Sequence, residues 1–183
     1  PRPTFAQRLA VLDEKLKQPT QLKLGVLFSA AENGPKAREK EVGEGLLEGI
    51  EAAVAEYLGK VSVVLEVRSS QSNVVAAARD LASDGSVVAI IGPAFSAAAQ
   101  EVASVASEQR IPIVTPTANA NGIAAGSEFM FQANPDLATR ARAIAQHAVL
   151  NMKLKRLGIL GPSEPSSKML AEAFTKEVER FGS

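Results

Sequence analysis

Two short segments hold the residues whose types and spacing suit ligand chemistry. The first, Ile91-Gly92-Pro93-Ala94-Phe95-Ser96, follows a fully apolar run (VVAII) and precedes a helical pattern. Glycine allows a sharp turn there. Ser96 is placed to cap the helix, whose free N–H groups at Ala97, Ala98 and Ala99 carry partial positive charge. Such an end can hold a carboxylate or another small anion, or the serine can simply cap the helix. The second segment, Thr115-Pro116-Thr117-Ala118-Asn119-Ala120-Asn121, follows another short apolar run, halted by Pro116. It reads either as a turn with local Asx- and ST-type bonding or as a second wall of the same crevice. Arg68-Ser69-Ser70-Gln71-Ser72 reads first as loop capping, with Ser72 in the cap position of the next helix.

Catalytic chemistry finds little support. The chain has no Cys and one His, His147, which lies beside rather than on the apolar face of its helix. Ser96 is not in G-x-S-x-G, no G-x-G-x-x-G follows the first strand, and no phosphate-loop motif is present. The alternating charges of residues 36–44 read as a solvated loop or helix entry. No metal, cofactor or catalytic residue is expected, and the reading is not an enzyme. Lys+Arg and Asp+Glu both number 20, giving zero net charge, which argues against a nucleic-acid partner. No apolar run approaches the ~20 residues needed to span a bilayer.

The elements that would position these segments alternate strand with helix. Leu22–Phe28 (LKLGVLF), 61–67, Val87–Ile91, 111–115 and 156–160 read as strands, and 129–133 as extended. Residues 45–58, 73–83, 96–108, 137–151 and 168–181 read as helices, with apolar positions on one face. This alternation predicts right-handed βαβ units: an α/β fold with a parallel sheet and helices on both faces. Ligands of such sheets bind beyond the carboxyl ends of the strands. Phe5, Leu9, Leu12 and Leu16 form a narrow seam on a separate N-terminal helix, which either packs on its own domain or meets another subunit or helical region.

Taken in order, Asn33-Gly34-Pro35, the stretch IIGPAFSAAAQEVASVASEQRIPIVTPTAN (90–119) and FMFQANPDLATRARAIAQHAV (129–149) resemble the type I periplasmic solute-binding proteins of ABC transporters, the Leu/Ile/Val-binding-protein branch. The resemblance implies two α/β lobes around a cleft. Residues 1–20 would be a helix and linker, 21–134 lobe one, and 135–183 the beginning of lobe two, left incomplete. It implies ligand contacts from Phe95, Ser96, Ala97, Thr117, Ala118 and Asn119, with Ser96 and nearby amides on a ligand carboxylate. The ligand would be a small polar molecule, an amino acid among the candidates. The location would be periplasmic or otherwise extracytoplasmic, and the partner a membrane permease. Activators of penicillin-binding proteins are similar in joining a helical region to this fold, which makes an envelope protein the alternative partner. The pattern departs from the branch at three places. Lys36-Ala37-Arg38-Glu39-Lys40 stands where an aromatic is usual, Ser166-Ser167 where Tyr-Gly is usual, and Asn119 where Thr or Ser is usual. A single five-stranded domain, completed by the strand at 156–160, is the remaining architecture.

Overall fold

The computed structural model describes residues 4–17, 21–28, 37–57, 61–70 and 73–182. They form two compact units: residues 1–118 with 123–133, and residues 119–122 with 134–183.

The first unit is built on five parallel strands in the order β2-β1-β3-β4-β5. These are β1 (Leu22–Phe28), β2 (Val63–Ser69), β3 (Val87–Ile91), β4 (Ile113–Thr115) and β5 (Met130–Gln132). Helices α2 (Ala37–Glu56), α3 (Val74–Ser83) and α4 (Ser96–Gln109) make the crossovers. The chain lays β2 on one side of β1 and β3 on the other, so the strand order reverses between β1 and β3. Ligands of open α/β sheets bind beyond the carboxyl ends of the strands at such a reversal.

Burial follows the apolar periodicity. On α4, Ala99, Val102, Val105, Ala106 and Gln109 face inward at helical spacing, against buried Ile90, Ile111 and Ile113. The α3 stripe Ala78, Leu81 and Ala82 covers β1, where Gly25 makes room: a Cβ there would lie 3.1 Å from Ile90 and 3.3 Å from Leu81. The α3 cap is Asn73, whose side chain accepts from the Ala76 N–H at 2.9 Å; the expected cap, Ser72, lies outside the described residues.

The edge strand β2 carries a charge network. Arg68 pairs with Glu66 and with Asp80 of α3, while Lys23 of β1 meets Asp84 at 2.9 Å and Glu66 at 3.9 Å. Charges at an edge oppose strand addition by other molecules. Arg68, read from sequence as part of a loop-capping segment, is thus committed to the edge network.

An N-terminal helix, α1 (Phe5–Lys17), packs on this unit. Thr4 and Gln7 form a reciprocal capping box, Thr4 N–H to Gln7 Oε1 at 2.7 Å and Gln7 N–H to Thr4 Oγ1 at 3.3 Å. Phe5 meets Phe129 edge to face with centroids 5.4 Å apart, and Arg8 donates to the Ala82 carbonyl at 3.2 Å. The side chains of Leu12 and Leu16 lie outside the described residues.

The second unit is a helix pair, α5 (Leu137–Gln146) and α6 (Pro165–Gly182). Asp136 caps α5 by accepting from the Thr139 N–H, and Leu137, Ala141, Ala145 and Ala148 are its buried stripe. The α-helix changes to a π-helical turn at His147–Asn151, with His147 exposed. Arg142 and Arg180 both reach Glu177 of α6, at 3.6 and 3.4 Å. The strand expected at 156–160 is absent: residues 153–162 run exposed, with no ladder to any described strand. A strand exists only through a neighbour's hydrogen bonds, and the five-stranded sheet closes without this segment. The fifth strand is β5, so the single-domain architecture completed by 156–160 is wrong.

Two outcomes follow. Hydrogen bonds from the Ser86 hydroxyl, Lys23 and the Ser86 amide hold the Asp84 carboxyl far below its ordinary range. Because the folded state favours the ionised form, the stabilisation is complete above the ordinary carboxylate range and fades as pH falls below about 4. Asp84→Asn therefore lowers the melting temperature most at pH 7 and less at pH 3, where the unfolded state but not the folded state has taken up most of its proton. The loss stays below about 1 kcal/mol because the side chain is 37% exposed. Equal losses at both pH values would disprove the linkage. In hydrogen exchange, the amides of 157–160 exchange at near-unprotected rates, while those of 24–27 and 88–90 exchange slowly.

Candidate ligand-binding site

At the carboxyl end of β3 the chain must leave beside β1. Gly92 does this with φ +105°, and a Cβ on it would lie 2.0 Å from the Leu27 carbonyl oxygen of β1. Only glycine fits both the dihedral and the gap. Its N–H donates to the Val114 carbonyl of β4 at 2.8 Å, so this one residue touches both neighbouring strands. Gly92-Pro93 is a cis peptide, and Gly92, Pro93 and Ala94 are all buried.

The two loops singled out by sequence lie together. The Thr115 hydroxyl, fully buried, donates to the Pro93 carbonyl at 2.6 Å, and the Thr117 hydroxyl donates to the Ala94 carbonyl at 2.6 Å. This double clasp follows from the β3–β4 register, Ile91 against Val114, which brings residues 92–95 level with 115–118. Ala118 is buried, and its carbonyl accepts from Gln132 Nε2 at 3.1 Å.

The cap of α4 differs from expectation. Phe95 occupies the cap position in extended geometry, and no side chain caps the helix. Ser96 is the first helical residue, because the buried Pro93-Ala94 turn delays the helix by one position. The first-turn amides of α4 are therefore left for something other than a capping side chain. Ser96 and Ala97 stand at this end, with Ala97 exposed. The arrangement presents helix-end N–H groups, a serine hydroxyl and the Thr117 segment along one edge of unit one. That combination suits a small anion.

Asn119 falls in the second unit, where its carbonyl accepts from the Leu137 N–H at 2.9 Å. Ser70 is a loop-capping residue, as expected: its N–H and hydroxyl both donate to the Phe28 carbonyl, at 2.9 and 3.1 Å. The strand-one loop, including Asn33-Gly34-Pro35 and Lys36, lies outside the described residues. Sequence reasoning missed Leu27, Thr115 and Gln132 as positioning groups. Only Thr115, a threonine ending an apolar run before proline, carried a local signal. No group of three or more His, Cys, Asp or Glu suited to a metal occurs among the described residues, and no described helix is long and apolar enough to cross a membrane.

The profile of a family described as periplasmic binding protein matches residues 21–183. The Leu/Ile/Val-binding protein homolog 3 of Brucella melitensis is 29% identical over 109 residues, covering 59% of this chain and 29% of that protein. Among solved structures, an ABC transporter substrate-binding protein from Desulfitobacterium hafniense in complex with Leu superposes with a TM-score of 0.69 at 19% identity, over 88% of this chain and 48% of that one. A leucine binding protein from Thermotoga maritima gives 0.65 at 24% identity, over 88% and 46%. A solute binding protein from R. palustris in complex with 4-hydroxybenzoate gives 0.66 at 24%, over 88% and 44%. The chain thus spans less than half the length of these proteins, and the structural matches bear out the parallel α/β fold.

The Gly92 geometry makes a direct prediction. Gly92→Ala forces both a left-handed alanine and a backbone clash, and costs roughly 3 kcal/mol or more in urea denaturation. Gly122→Ala, at φ +79° with nothing within 4 Å of its Cβ, costs only about 1 kcal/mol. Equal losses would mean that the Leu27 carbonyl yields easily and does not constrain the turn.

Proposed function

The chain belongs to the periplasmic binding protein family, and from that premise we propose that it is an extracytoplasmic receptor for a small carboxylate-bearing solute, handed to an ABC-type permease by hinge closure. The observation that carries this reading is the α4 amino terminus without a side-chain cap, clasped to the Thr115–Ala118 segment at the reversal of strand order. In this reading the amides of Ala97 and Ala98 and the Ser96 hydroxyl donate to the carboxylate. The Thr117-Ala118 segment lies beside the rest of the ligand. The helix end supplies positive potential without a full charge, so an anion binds and is still released. Leu and 4-hydroxybenzoate, named with two of the structural relatives, share a carboxylate and little else. That common feature supports carboxylate recognition over recognition of one side chain. An amino acid is one candidate class, an aromatic acid the other. The role proposed is binding, with no residue assigned to catalysis.

A second reading rests on α1, which precedes the residues matched by the family profile. It makes the chain a module that binds an envelope protein.

Thermal melts of the protein against a panel of L-amino acids and hydroxybenzoates separate the two. On the receptor reading, at least one acid raises the melting temperature in proportion to the logarithm of its concentration. Ser96→Ala then weakens that ligand by about tenfold through the lost hydroxyl donor. A panel without any shift, or a shift that Ser96→Ala leaves untouched, would overturn the receptor assignment at this site.

A further inference from the structure

At the end of the unit-one sheet opposite the Gly92 turn, the amino-terminal ends of β3 and β4 border a second cavity of about 170 Å³. Phe5, Leu9 and Val11 of α1 form one wall, and Val88 and Pro112 face them across the cavity. Its lining is mainly apolar, with two guanidinium groups, Arg8 and Arg110, and no carboxylate among the described residues. Arg8 is anchored through Nη2 to the Ala82 carbonyl. The Arg110 guanidinium has no hydrogen bond or ion pair among the described residues. Glu128 lines an adjoining groove with Phe129 and Phe131, and Phe5, Arg110 and Pro112 border both spaces.

Arg110 is also where backbone strain is spent. It ends α4 at φ 50°, ψ 46°, with its N–H donating to the Ala106 and Ser107 carbonyls. Glycine is the residue that takes this left-handed position without penalty. An arginine there accepts a conformational cost, and its side chain lines the cavity. The opposite wall, α1, lies before the residues matched by the family profile, so the cavity is an addition to the shared part of the fold.

We propose that this cavity is a second binding site, taking a small organic monocarboxylate built on a single six-membered ring. The volume supports the ring, since an apolar cavity of about 150 Å³ accommodates benzene. The charge supports the carboxylate: a guanidinium fork pairs with it bidentately, and Arg8 adds positive potential. A neutral ring would fill the same space and leave Arg110 unpaired.

The test is a titration of the isotopically labelled 183-residue protein with benzoate, followed residue by residue through its amide NMR signals. Benzyl alcohol serves as the neutral isostere. Benzoate produces saturable shifts at Leu9, Val88 and Arg110, and benzyl alcohol binds at least about tenfold more weakly. Arg110→Gln removes that advantage. Arg110→Gly relieves the left-handed strain, so it melts no lower than the parent protein yet loses benzoate at this site, which separates folding from binding. Shifts confined to residues 96–99 would place benzoate at the α4 amino terminus instead and overturn the proposal. So would undiminished binding to Arg110→Gln, or equal affinity for benzyl alcohol. These outcomes are independent of the receptor assignment, because the two sets of amides lie at opposite ends of the sheet.

Discussion

The approach of Gly92 to the Leu27 carbonyl is the contact on which the rest of the first unit depends. Two parallel strands whose connections run in opposite directions must diverge at their carboxyl ends, and the backbone leaving β3 has to clear the end of β1. With no Cβ, Gly92 turns in the gap and still donates to Val114 on the other side. The consequences follow in order along the chain. Pro93 and Ala94 become buried, and their carbonyls accept the Thr115 and Thr117 hydroxyls. Phe95 then takes the cap position without a side-chain bond. The helix end is left without a side-chain cap because the turn before it is fully occupied with holding β3 to β4.

On the proposed reading, recognition relies on backbone groups. Helix-end amides read the charge and shape of a carboxylate and are indifferent to what is attached to it. The charge network at the other edge has the opposite character. Lys23, Glu66, Arg68, Asp80 and Asp84 saturate one another, which keeps β2 from offering a sticky edge and leaves no free charge for a ligand.

The two units differ in what they satisfy internally. The first has five strands, covering helices and a buried core that includes Val26, Leu27, Ile90, Val102 and Ile113. The second has a packed helix pair and a segment, 153–162, whose apolar residues Leu157, Ile159 and Leu160 remain exposed. Helices make their hydrogen bonds within themselves, and α5 packs on α6. An extended segment has no such recourse.

That difference explains what could be read from the sequence alone. Apolar periodicity fixed the identity and order of nearly every element, because each helix and each fully buried strand writes its pattern locally. The Gly92–Ser96 and Thr115–Asn119 segments were recognisable for the same reason: their turn residues stand next to apolar runs. Three things were decided only by tertiary structure. The cap moved from Ser96 to Phe95 because packing of Pro93 and Ala94 set the start of the helix. The Gln132 side chain reached the Ala118 carbonyl across 14 residues of sequence, which no local pattern records. Residues 156–160, apolar enough to read as a strand, formed none, because a strand's hydrogen bonds belong to its neighbour as much as to itself.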